Sequence, residues 1–292
     1  AFNSGDIVAT ADAYATGIAA ASYYGTTVVT TGGDIDVSAD GALVLRSYQG
    51  YYGTYYYYAL VGAAIGIDAS AGYGDVTVSS ASDITAQSLY VSATGINATA
   101  LYDVAVTNSG DIHAASLYSY ATGINASASS IYLGKYYGSL AFDGTTTVSN
   151  SGDITLYAPQ RSAGRATGIF ASRDQGDVVV GNSGDIDIYA GGRSYGIYAH
   201  TTYGDVSVTN SGDISMLSHY DAQIGIQAST GNFFFGGGDV SIVNSGNISV
   251  HSDYGFANGI GAVAGSVQNP YGNSYIRNSG DLDVFGQYNA AG

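Results

Sequence analysis

The chain has 292 residues, with 23 acidic and seven basic side chains, a net charge of −16 and a pI near 4.1. That balance excludes nucleic acid and anionic membrane surfaces as natural partners, because so few cations cannot offset the approach of dense negative charge. No Cys is present for disulfides or thiolate metal sites, no apolar run reaches the ~18 residues of a spanning helix, and the acidic residues are all Asp, so helix-supporting Glu–Lys pairs are missing and almost no helix is expected.

Asn-Ser-Gly-Asp-Ile stands at residues 3–7 and returns at 108–112, 150–154, 182–186 and 210–214. Degenerate copies lie at 31–35, 79–84, 244–248 and 278–282. With Asp6, Asp34, Asp83, Asp111, Asp153, Asp185, Asp213, Asn247 and Asp281 as anchors, the intervals are 28, 49, 28, 42, 32, 28, 34 and 34 residues. A constant minimum with occasional excess describes a repeat with loop insertions.

Alignment on the anchor turns the repetition into geometry. Five residues before it stand Val29, Val78, Val106, Val148, Val180, Val208, Ile242 and Ile276; one after it stand Ile in eight copies and Leu282 in the ninth. Three after it the side chain is again apolar, and the residue between is mostly polar. Apolar residues at alternate positions mark strands with one buried face, and β-branched residues suit that surface. Asn-Ser-Gly between the two strands is turn chemistry, with Gly expected to take positive φ. A third strand is expected about 13 residues after the anchor, at 15–18, 64–67, 93–96, 121–124, 166–169, 194–197, 223–226 and 257–260, each ending in Gly-Ile. Three short strands per 28 residues describe one coil of a three-sided parallel β-helix. One coil cannot bury its own interior, so about nine coils share a core, in a single rod over residues 1–292 on the order of 40 Å long.

In chain order, the first coil is compact. The second carries an aromatic insertion at 41–62, with Tyr48, Tyr51, Tyr52, Tyr55, Tyr56, Tyr57 and Tyr58. Coils three and four are regular until an insertion at 129–143 holding Tyr132, Tyr136, Tyr137 and Phe142. Coil five places Pro159, Arg161 and Arg165 in a slightly lengthened corner. Further insertions are 232–238, with Phe233, Phe234 and Phe235, and 266–273, with Pro270. Both ends fall inside the repeat, which reads as a piece of a longer repeat protein.

The anchor aspartates would stack in one column, where neighbours at ~5 Å repel by about 1 kcal/mol even in water. A turn-capping role, each carboxylate accepting backbone N–H groups at its own corner, would offset that. A calcium column through Asp111, Asp153, Asp185 and Asp213 is the sharper reading, since hard cations take stacked oxygens. The calcium-coil pattern Gly-Gly-x-Gly-x-Asp is absent, however, and Asn247 substitutes for one anchor. The repeated Asn108, Asn150, Asn182, Asn210, Asn244 and Asn278 fit an amide ladder along the rod. His113, His200, His219 and His251 fall at different registers and read as solvated surface residues. No catalytic constellation stands out, and neither cofactor nor catalytic residue is expected.

The 28 Tyr against no Trp are the least ordinary feature. Tyr offers large amphipathic area at low entropic cost, which suits an adhesive or self-associating face. The aromatics of the insertions, Tyr51, Tyr52, Tyr55–Tyr58, Tyr136, Tyr137 and Phe233–Phe235, are the candidates for contact with glycans, surface proteins or neighbouring copies. Tyr157 and Tyr189, four after their anchors, share the outward parity.

The unit Asn-Ser-Gly-Asp-Ile … Ala-Thr-Gly-Ile … Gly-Asp-Val-x-Val resembles repeats in the passenger regions of bacterial autotransporters and large secreted adhesins. The resemblance covers essentially the whole chain and lies in scaffold motifs. It implies a right-handed β-helix at the cell surface and export through the outer membrane; with no catalytic constellation in the residues, the chain reads as a non-enzymatic extracellular rod for adhesion, biofilm or surface structure. An end-to-end assembling filament subunit and a polysaccharide-acting enzyme on the same scaffold are the alternatives.

Overall fold

The computed structural model describes residues 1–50, 53–129, 131–132, 139–140, 143–161, 164–231, 237–265 and 272–292. Among them there is no helix, hence none long and apolar enough to cross a membrane. Three nine-stranded parallel sheets run the length of the chain, and every coil contributes one strand to each in the same order. In coil four these strands are Val104–Asn108, Ile112–Ser116 and Ala121–Ala128. The expected parallel β-helix is therefore the fold.

Register follows the anchor. Ile84 pairs with Ile112, Ile112 with Ile154, Ile154 with Ile186 and Ile186 with Ile214. These isoleucines are fully buried, as are Val78, Val106, Val148, Val180 and Val208 of the first sheet. Each Ile contributes roughly 1.5–3 kcal/mol by leaving water. A one-residue slip would turn a strand's whole apolar set outward, so the alternation itself locks the register.

The third strand is longer than the sequence pattern suggests, because it bends rather than ends at Gly-Ile. In Ala121–Ala128 two adjacent positions, Gly123 and Ile124, are both buried, and the alternation changes phase there. The bend brings successive coils close together. A Cβ on Gly196 would lie 2.5 Å from the Gly225 carbonyl oxygen and 2.8 Å from Ile214 Cγ2. The glycine of Asn-Ser-Gly likewise differs from expectation. It is not among the glycines with positive φ; instead a Cβ on Gly184 would stand 2.0 Å from the Gly152 carbonyl oxygen. Close stacking, and not turn handedness, requires glycine at that corner.

The insertion in coil two is an antiparallel hairpin, Ala42–Gly50 with Gly53–Val61, between a second-sheet and a third-sheet strand. That after coil four includes a two-residue antiparallel pair, Ile131–Tyr132 with Ser139–Leu140.

Candidate functional site

The corner between the first and second sheets is a polar ladder. Asn108 Nδ2 donates to Asn150 Oδ1 at 2.8 Å, and the series continues through Asn182, Asn210 and Asn244 to Asn278 at 2.7–2.8 Å. Each Nδ2 also donates to the carbonyl of the glycine two residues on, as Asn182 does to Gly184 at 2.7 Å. The amide column thus closes its own turn and ties it to the next coil. At coil three Ser80 replaces Asn, and the buried Asn108 Oδ1 has no partner among the described residues.

The anchor aspartates form a second column, linked differently from expectation. From Asp83 to Asp213 each carboxylate accepts an N–H from the next coil. Asp111 N donates to Asp83 Oδ1 at 2.9 Å, Asp153 to Asp111 at 2.9 Å, Asp185 to Asp153 and Asp213 to Asp185 at 2.8 Å. Asn247 N continues to Asp213 at 2.7 Å. From Asp83 to Asp213 a charge-assisted bond at each level offsets the mutual repulsion of the column. A parallel column escaped the sequence reading: Asp103 N donates to Asp75, Thr145 N to Asp103, Asp205 N to Asp177, Asp239 N to Asp205 and Asn273 N to Asp239, at 2.7–3.3 Å. Its signal was the acidic residue recurring eight before most anchors.

For calcium, Asp111, Asp153, Asp185 and Asp213 each commit Oδ1 to a backbone N–H. Among the described residues no three His, Cys, Asp or Glu side chains converge into a metal-holding set. His219 and His251, expected to stand apart, both meet Asp253: His219 Nδ1 at Oδ2, and His251 Nε2 at Oδ1, 2.9 Å away. The two imidazoles address different oxygens, so their nitrogens do not focus on one point. Hydrogen bonds from His251 and His219 hold the Asp253 carboxyl below the usual range. His200 is partly buried rather than fully solvated; burial lowers its pKa, and its Nδ1 lies 3.0 Å from Ser229 Oγ. Asp187 has its pKa raised by burial, then by the charges of Asp185 and Asp153.

The corner between the second and third sheets has a different character. Seven residues after the anchor stand Tyr90, Tyr118, Tyr220, Tyr254 and Tyr288, all exposed. Tyr90 stacks on Tyr118 at 5.2 Å between centroids, and Tyr220 on Tyr254 at 6.0 Å. On neighbouring faces Tyr157 stacks on Tyr189 at 5.3 Å, as its outward parity predicts, and Phe170 on Tyr198 at 5.5 Å.

The middle of this corner, in coils five and six, carries arginine. The Arg161 guanidinium lies 4.4 Å from the centroid of the Tyr220 ring, and Arg165 lies 6.0 Å from that of Tyr120. Arg161, Tyr220, Asp221, Tyr254 and Tyr288 line a cleft of about 720 Å³. A second cleft, about 370 Å³, includes Arg165, Arg193, Phe170, Tyr195 and Tyr198 in its walls.

No family model, curated protein or solved structure matches this chain.

Of the candidate aromatics, Tyr56 and Tyr58 lie on the hairpin and are about 70% exposed. Tyr55 and Tyr57 pair with Tyr48 and Arg46 across the same hairpin. Tyr51, Tyr52, Tyr136, Tyr137, Phe233, Phe234 and Phe235 lie outside the described residues. The structure thus brings together an aromatic and arginine corner that the insertions did not announce. The recurrence of Tyr at a fixed offset from the anchor could have revealed half of it.

Proposed function

We propose that the chain is a non-enzymatic, extracellular β-solenoid rod that serves bacterial cell-surface adhesion, biofilm or surface structure through its outward aromatic columns. The observation that carries this reading is the exposed Tyr series at the second corner, held at one-coil spacing by a core that makes no use of it. Exposed aromatic area in ordered rows is costly for a soluble surface and suits contact with glycans, surface proteins or other copies. The resemblance to autotransporter and adhesin passengers points the same way. The repeated carboxylates support a non-catalytic role, since each from Asp83 to Asp213 commits its Oδ1 to the backbone of the next coil. The raised pKa of Asp187 follows from burial and then from the charges of Asp185 and Asp153 in the anchor column.

The test is retention of the purified rod on bacterial cells and on glycan-coated surfaces, with its assembly state followed by electron microscopy. Separate rods retained through the Tyr corner and the 42–61 hairpin are the expected result. Regular filaments would make the chain a structural polymer, and turnover of a polysaccharide would overturn the non-enzymatic reading.

A further inference from the structure

Three of the seven basic residues of a strongly acidic chain line two clefts along one corner of the rod, Arg161 in the larger and Arg165 with Arg193 in the smaller. Arg161, Arg165 and Arg193 are exposed, and none has a carboxylate within 4.0 Å among the described residues. In a chain with 23 aspartates, three exposed arginines without a carboxylate partner, two of them in the walls of one cleft, are an arrangement that scaffold chemistry does not explain.

The backbone presents them in fixed positions. Gly164 N donates to the Gln160 carbonyl at 2.9 Å, Ala121 N to the Arg165 carbonyl at 3.0 Å, and Ala166 N to Ser194 Oγ at 2.9 Å. Coil six turns this corner with Gly191 and Gly192, which carry no side chain. Arg161 of coil five can therefore pass over coil six and lie on Tyr220 of coil seven. A Cβ on Gly191 would stand 2.4 Å from the carbonyl oxygens of Pro159 and Gln160. The bare corner is what lets the Pro159–Gln160 backbone of the preceding coil sit so close.

We infer that this corner, through Arg161, Arg165 and Arg193 with the rings of Tyr195, Tyr198 and Tyr220, binds a carboxylate-bearing polysaccharide laid along the rod. This rests on the reading of the chain as an adhesive rod and names the ligand class of one of its surfaces. Guanidinium groups present a planar fork that matches a planar carboxylate in two parallel hydrogen bonds. The aromatic rings offer apolar faces and edges to the C–H surface of a sugar, with phenolic hydroxyls for its polar rim. Asp221, in the wall of the larger cleft, supplies an acceptor for sugar hydroxyls. Tyr220, Tyr254 and Tyr288 repeat once per coil, a spacing of about 5 Å, so a linear polymer can engage successive levels. The net charge of −16 selects among anions. A uronate chain carries at most one charge per sugar, whereas sulfated polymers and nucleic acids bring denser charge against the aspartate columns.

The experiment titrates the whole rod with a galacturonate hexasaccharide, its methyl ester, dextran sulfate and a single-stranded oligonucleotide. The free acid is expected to bind saturably, with affinity that falls as salt rises. Methyl esterification, Arg165→Ala and Arg193→Ala should each weaken it about tenfold. Arg193→Lys, which keeps the charge and loses the fork, should recover only part of the loss. Unchanged melting temperatures in these exposed-site variants separate binding from folding. Equal affinity for the ester, tighter binding of dextran sulfate or the oligonucleotide, or no binding of the free acid would each overturn the inference. If the rod is still retained on cells while the free acid fails to bind, the adhesive reading stands and only this ligand class falls.

Discussion

Two corners of the same rod obey different rules. Between the first and second sheets, Asn-Ser-Gly-Asp repeats almost unchanged, and amide, carboxylate and glycine each answer to the same group one coil away. Between the second and third sheets, the coils carry Tyr, Arg, a bare Gly-Gly or a hairpin, and the side chains face solvent. The comparison teaches that strict repetition here marks groups satisfied by their own copies. Where the repeat departs from itself, side chains are free to meet something else.

The largest way to break this contrast is at the amide ladder. Asn182→Leu should destabilise the rod by about 2–4 kcal/mol, because it leaves the Gly184 carbonyl and both neighbouring amides with unmade bonds. Denaturant midpoints measure it, and a loss no greater than that of Tyr254→Ala would erase the distinction between the corners. Gly184→Ala comes next, at about 1–3 kcal/mol, since its methyl group meets backbone that cannot yield easily. Ser80→Asn runs the other way. It offers a donor to the orphaned Asn108 Oδ1 and should add about 1 kcal/mol; a neutral or negative change in melting temperature would refute the ladder account at this level. Tyr254→Ala should cost no more than about 1 kcal/mol of stability, the worth of an exposed stacked pair, while it reduces surface retention.

The smallest effect is electrostatic. Asp187 has a folded pKa raised above its unfolded value, so its contribution favours folding most below the unfolded carboxylate pKa and is lost as pH rises through the folded one. Asp187→Asn should therefore stabilise slightly at neutral pH, by under about 1 kcal/mol given its exposure to screening, with no gain in acid. Urea titrations at pH 7 and pH 3 decide the sign.

Much of the fold was legible because a period of two and a fixed anchor suffice to define strands, faces and register. The Asn ladder was legible for the same reason, as identical residues at identical offsets must stack. The bend at Gly196 was not, because a sequence shows that glycine recurs without showing whether φ or a neighbour's carbonyl demands it. The Asp–Asp linkage between coils was hidden too, since a carboxylate at a turn can cap either its own corner or the next. Insertions drew attention to the aromatics at 51–58, whereas Arg161 reaches Tyr220 two coils on across the bare corner of Gly191 and Gly192. No periodic pattern encodes that juxtaposition.

The one-way handshake of the anchor column, carboxylate of one level to N–H of the next, makes each level a complete copy of the joint between levels. A 28-residue unit duplicated between two regular neighbours, such as those anchored at Asp185 and Asp213, would reproduce every joint it interrupts. The molecule is then a ruler whose length can drift by whole divisions of about 4.8 Å, while the reading marks on its second corner are rewritten one coil at a time.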